Sequence, residues 1–154
     1  MKKILLLIAM LFICLSFYAQ NNGRILKIVY DGCGYTSSVT EYKNGNKIFS
    51  LDFEESIYVD GFNVKCGSAQ DIYNEMKLFS DFVEKHGTTD GYIESIGKYE
   101  LMIAKAGKGA VGITSIMFLV VSVDGKSRNC DISCIKKGKK AFEKYCRKNK
   151  IQLE

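Results

Sequence analysis

The amino-acid sequence predicts an α+β fold: an antiparallel sheet built from hairpins, with two amphipathic helices, about 69–86 and 134–148, packed on it. Three observations predict this. At least four strand-like segments precede the first helical pattern, whereas an α/β chain would alternate strand and helix. Asn44-Gly45 and Asp60-Gly61 are short hairpin signals, because these residue types tolerate positive φ. Finally, Ile113 to Val123 is the most apolar run outside the N-terminus. It has no charge to face water, so it is expected as a central strand buried on both faces.

Each element follows from its local pattern. From Arg24 to Asp31, Leu26, Ile28 and Tyr30 alternate with Ile25 and Val29, as in a strand. Asp31-Gly32-Cys33-Gly34 is a turn. Thr36 to Lys43 is β-branched and half polar, which suits an exposed strand. After Asn44-Gly45 the chain returns from Asn46 to Glu54, with Phe49, Leu51 and Phe53 on one face and Ser50 and Asp52 on the other. Asp60-Gly61 joins Ile57-Tyr58-Val59 to Phe62-Asn63-Val64 in a second hairpin.

Ser68 and Asp71 have the spacing of a capping box at a helix start. Ile72, Met76, Phe79 and Val83 then form one helical stripe, widened by Leu78 and Phe82, and Gly87 ends it. Tyr92 to Ile96 and Lys98 to Lys105 are strands joined near Gly97, and Asp124-Gly125 turns the central strand into Ser127 to Ile132. The last helix begins near Ser133. Cys134, Ile135, Ala141, Phe142, Tyr145 and Cys146 make its apolar stripe, with Gly138 a weak position in the middle.

Residues 1–19 are expected to be a signal peptide: Lys2 and Lys3 precede the apolar run Ile4 to Phe17, and Ala19 is a small residue at the cut. Residues 20–154 then make a single exported α+β domain, periplasmic or extracellular, with no transmembrane span in the mature protein. Ile13 before Cys14 is too large for a lipid-attachment site. No proline-rich or low-complexity linker interrupts the chain, and no internal repeat of useful period is visible.

Without Lys2 and Lys3, 20 basic residues face 17 acidic ones, net +3. The charge is uneven. Lys126 to Glu154 holds ten basic and three acidic residues, whereas Gln20 to Gly125 holds ten and fourteen. The basic end is expected to be the partner-binding surface, through Lys136, Lys137, Lys139, Lys140, Lys144, Arg147 and Lys148. An acidic protein or an anionic surface would meet it. Nucleic acid is not expected for an exported chain in which no aromatics interleave the lysines.

Cys33, Cys66, Cys130, Cys134 and Cys146 are disulfide candidates in an oxidising compartment. They could form up to two bridges with one thiol left over, and their spacing does not choose among the pairings. Cys134 and Cys146 are 12 residues apart on one helix, about 18 Å, which is too far to bond.

Catalytic chemistry is poorly supported. Gly107 to Gly112 reads G-x-G-x-x-G, but a dinucleotide site needs a helix after that loop, and a strand follows here. No cofactor is expected. A lone His86 and cysteines without C-x-x-C spacing give no metal site. Asp52, Glu54 and Glu55 cluster but lack the arrangement of an acid/base pair. The reading that follows is a small exported, non-catalytic binding module, of inhibitor or immunity type. The alternative is a small cysteine-dependent hydrolase using Cys33 or Cys66 with His86, which requires a free, partly exposed thiol within reach of the imidazole.

Overall fold

The computed structural model describes residues 24–55, 60–106 and 116–154. The expected signal peptide, Ile57-Tyr58-Val59, the glycine-rich motif and the first residues of the apolar run after it lie outside the described residues. The elements run β1 (Arg24–Gly32), β2 (Tyr35–Tyr42), β3 (Lys47–Phe53), β4 (Phe62–Gly67), α1 (Ala69–His86), β5 (Ile93–Ile96), β6 (Tyr99–Lys105), β7 (Met117–Val123), β8 (Lys126–Asp131) and α2 (Ile132–Lys148). The expected α+β class stands, but the strands form two sheets. Their orders are β1-β2-β3-β4 and β5-β6-β7-β8, and every pairing is antiparallel.

Both halves of the chain therefore share one element order: a four-stranded meander, then a helix. The helices also share a stripe. Ile72, Phe79 and Val83 of α1 stand 63 residues before Ile135, Phe142 and Cys146 of α2, and all six are buried. So few matching positions are too sparse to show as a sequence repeat.

The start of α1 is fixed by its cap. The Ser68 hydroxyl accepts from the Asp71 amide at 3.1 Å, and the Asp71 carboxylate accepts from the Ser68 amide at 2.9 Å. The Ser68 hydroxyl also donates to that carboxylate at 2.7 Å, and this bond, with the one from the Ser68 amide, holds the Asp71 carboxyl below its usual range. At α2 the Asp131 carboxylate accepts from the Ser133 amide at 2.7 Å, so the helix opens at Ile132, just before the expected start near Ser133.

Buried residues from both sheets and both helices form one cluster. Its centre is a row of rings. Tyr35 lies 5.4 Å from Phe53, Phe53 lies 6.3 Å from Phe79, and Phe79 lies 5.2 Å from Tyr99. The row thus passes from the first sheet through α1 to the second sheet. On the other flank, Phe142 of α2 meets Phe49 of β3 at 5.8 Å. Polar ties join the halves as well: Lys98 Nζ donates to the Val64 carbonyl at 2.9 Å, and Arg128 donates to the Glu54 carbonyl.

Three expectations about burial change. β2 was expected to be exposed, yet Tyr35 to Val39 are all buried, because β2 lies between β1 and β3 and under α2. β7 was expected to be buried on both faces, yet it alternates. Leu119, Val121 and Val123 are buried, while Met117, Phe118, Val120 and Ser122 are half-exposed. Its inner face joins the shared cluster and its outer face stays partly open. Gly138 is not merely a weak position. A Cβ there would stand 2.8 Å from Cε1 of Tyr35 and 3.1 Å from Cδ1 of Tyr30. The missing side chain lets α2 lie close on the β1–β2 hairpin.

Candidate functional site

The basic side chains of α2 are arranged by its apolar stripe. Cys134, Ile135, Gly138, Phe142 and Cys146 are buried against the sheets. With 3.6 residues per turn, Lys136, Lys137, Lys140, Lys144, Arg147 and Lys148 fall on the opposite side, within roughly 120° of the circumference. All six are exposed. None of them takes part in an ion pair among the described residues. The result is one continuous cationic face about three turns long.

Lys139, also expected in this surface, belongs elsewhere. Its ammonium pairs with Glu143 at 3.1 Å and stands 5.7 Å from the centre of the Tyr73 ring on α1. The bond to Glu143 raises the Lys139 pKa above its ordinary value, against a smaller opposing effect of burial. Lys139 and Glu143 thus tie α2 to α1 at the edge of the cationic face. Sequence periodicity places Lys139 near the buried stripe, but only the position of Tyr73 shows what it does there.

Beside this tie runs an open groove of about 630 Å³, lined by Tyr73, Glu143, Cys146, Arg147, Ile151 and Leu153 among others. Its floor includes the C-terminal segment, which the sequence pattern did not assign. Gln70 of α1 accepts from the Glu154 amide at 2.8 Å and donates to the Glu154 carbonyl at 3.1 Å. Ile151 donates its amide to the Cys146 carbonyl at 2.9 Å. The alternation of Ile151 and Leu153 was the available signal for a docked segment.

The residues of the catalytic alternative are not brought together. Cys33, in the tight β1–β2 turn, is bonded to Cys134 in the first turn of α2, with Cα atoms 6.3 Å apart. A bridged sulfur has no thiolate to offer as a nucleophile. Cys66 is free and exposed, but it precedes α1 while His86 is the last residue of α1. Along that helix the two are separated by about 25 Å or more. The His86 ring instead stacks on Tyr92 at 3.7 Å and 9°, with Nε2 at 3.7 Å from the Glu94 carboxylate.

The acidic cluster on the outer face of the first sheet is occupied by neighbours. Asp52 accepts from Asn63 Nδ2 at 2.8 Å and from the Ser50 hydroxyl, and Glu54 accepts from the Thr36 hydroxyl at 2.7 Å.

Cys130 and Cys146 are free thiols inside the core. Burial pushes the Cys130 thiol up to about 12, with the Asp131 carboxylate adding to it, and burial raises Cys146 as well. Raised values leave almost no thiolate at neutral pH. Of the three free cysteines among the described residues, Cys66 alone is therefore expected to react rapidly with iodoacetamide in the native, unreduced protein. Cys130 and Cys146 should label after denaturation, and Cys33 and Cys134 only after reduction. Peptide mass spectrometry reads all five, and fast native labelling at Cys33 would contradict the pairing.

No protein-family model matches this chain, and neither a curated protein nor a solved structure does.

Proposed function

We propose that this chain is an exported, non-catalytic binding protein whose α2 presents its basic face to an acidic protein partner. One observation carries the reading: six exposed cations share one side of α2, and the one carboxylate within that helix, Glu143, is paired with Lys139. Such a face raises the local concentration of an acidic partner and orients it before contact. Further support comes from the placement of Cys33, Cys66 and His86, which leaves the nucleophile reading without a dyad. The disulfide fits an oxidising compartment, as does the leader-like start of the sequence, with residues 20–154 as the exported domain. A protein of this kind would act by covering its partner's surface, as an inhibitor or immunity protein does.

The test is charge reversal on the exposed side only. Lys137, Lys140 and Lys144 are exposed on the outer face, so Lys137→Glu, Lys140→Glu and Lys144→Glu together should leave the thermal midpoint nearly unchanged. Polyglutamate is the probe for an acidic protein surface. The triple variant is expected to lose roughly tenfold or more in affinity for it at low salt, and wild-type binding should weaken steeply as salt screens the contact. Equal binding by the triple variant would remove α2 from the account. Tighter wild-type binding to phosphatidylglycerol vesicles than to polyglutamate would replace the protein partner by a membrane surface.

A further inference from the structure

We infer that the free edge of β1 is a self-association surface, which pairs antiparallel with β1 of a second copy across a twofold axis at Lys27. The inference is independent of the reading of α2. The four sheet edges are β1, β4, β5 and β8. β5 is only four residues long, β4 carries Asn63 and Lys65, and β8 carries Lys126 and Arg128. Short length and charge are the usual devices that keep an edge from pairing. β1 carries Arg24, Lys27 and Asp31, but it is nine residues long, and between those charges Ile25, Leu26 and Ile28 are 60%, 65% and 57% exposed.

The register decides the partner. Leu26 stands opposite Thr40 and Ile28 opposite Ser38 on the outer face of the sheet, while Ile25 and Lys27 point to the helix side. In an antiparallel pair centred on Lys27, Leu26 faces Ile28 of the copy on the outer side, and Ile28 faces its Leu26. Ile25 faces Val29 on the other side. Every exposed aliphatic of the edge then has an apolar neighbour directly across the strands. Shifting the centre to Leu26 would set Ile28 against Arg24 and Ile25 against Lys27, which wastes two of the three. The edge is thus self-complementary in the Lys27-centred register, as a twofold contact requires. The bulge between Ile28 and Tyr30 ends the regular part of β1 and limits the paired stretch to residues 25–29.

Charge sets the conditions. The two Lys27 side chains meet at the axis, each bonded to its own Glu41 at 2.6 Å, and Glu41 also holds Lys47 at 3.1 Å. Each copy therefore brings a local excess of positive charge. α2 lies over β1 and β2, so pairing also sets two basic helices side by side. Salt screens both repulsions, and this association should strengthen as ionic strength rises. The paired stretch is small against the roughly 800 Å² per partner of a stable complex, so the dimer forms reversibly with concentration.

Sedimentation velocity on the mature protein in a Cys66→Ser background, from about 5 to 500 μM at low and high salt, is the experiment. The expected result is a monomer–dimer equilibrium that moves toward dimer with salt. Leu26→Lys with Ile28→Lys should lower the association constant at least about tenfold. A Lys27→Cys variant in the same background should form a disulfide-linked dimer on mild oxidation, because the two Cβ atoms face each other at the axis, whereas Leu26→Cys should not. A wild-type protein that stays monomeric throughout overturns the inference, as does a dimer that the folded double-lysine variant retains. Should that variant not fold, the Lys27→Cys and Leu26→Cys pair decides alone, and equal cross-linking of the two overturns the register.

Discussion

Removing the Cys33–Cys134 disulfide is expected to lower stability by about 3–5 kcal/mol, with a fall of roughly 10–15 °C in thermal midpoint. The bond spans a sequence separation of 101 residues. A closed loop of that length limits the unfolded chain strongly, and the chain-entropy relation gives about 4.7 kcal/mol. It also ties the β1–β2 turn of the first half to the first turn of α2 in the second. The measurement is urea unfolding of Cys33→Ser/Cys134→Ser beside wild type, with and without reductant. The variant and the reduced wild type should share one lowered midpoint. A midpoint that neither substitution nor reductant moves would show that the two sulfurs are not bonded in solution. A second comparison separates the bond from its backbone. Cys33 has φ 58° and Gly34 φ 71°, a two-residue hairpin turn with both central residues in the left-handed region. A non-glycine residue loses about 1 kcal/mol there. Cys33→Gly/Cys134→Ser should therefore lose less than Cys33→Ser/Cys134→Ser, by about that amount, while the disulfide term is lost equally in both.

What could be read from the sequence divides along a physical line. Helix limits and the Ser68–Asp71 cap were legible because caps and 3.6-residue periodicity are local. The alternation in β3 was legible for the same reason: Phe49, Leu51 and Phe53 are buried while Ser50 and Asp52 are not. Burial of Thr36 and Ser38 was not. These side chains are small and polar, and nothing in them reveals that β2 has a strand on each side. Nor was the disulfide partner legible, since it depends on a hairpin turn meeting the start of a helix about a hundred residues later. The cationic face of α2 could be read from spacing alone. The exception, Lys139, is decided by Tyr73 on the other helix, a contact that spacing does not carry. The matching order of the two halves stayed hidden because the strands share almost no residue pattern and the loops differ in length. Only the buried helix stripe keeps its phase, through Ile72 and Ile135, Phe79 and Phe142, Val83 and Cys146.

Truncating Phe79 tests how the two halves depend on each other. Phe79→Ala is expected to cost about 3–5 kcal/mol, because the ring is fully buried and leaves a cavity between packed neighbours. Those neighbours are what distinguish the position. Phe53 on one side belongs to the first sheet and Tyr99 on the other belongs to the second. Phe142, at the matching place in α2, is equally buried, but its ring contact is with Phe49 of the first sheet. Both truncations should lower the urea midpoint by a similar amount. Only Phe79→Ala should also reduce the denaturant slope, because the second sheet then loosens before the rest and unfolding ceases to be all-or-none. Tyr99 supplies the control for the direct contact. Phe79 and Tyr99 meet edge to face at 73°, an arrangement worth about 0.5–1.5 kcal/mol beyond burial. A double-mutant cycle of Phe79→Leu with Tyr99→Phe and with Tyr99→Leu should find a coupling of about that size for the Leu cycle and little for the Phe cycle, since phenylalanine keeps the ring. Equal slopes in Phe79→Ala and Phe142→Ala would mean that the halves are held together chiefly by the disulfide and the polar ties of Lys98 and Arg128 rather than by the row of rings.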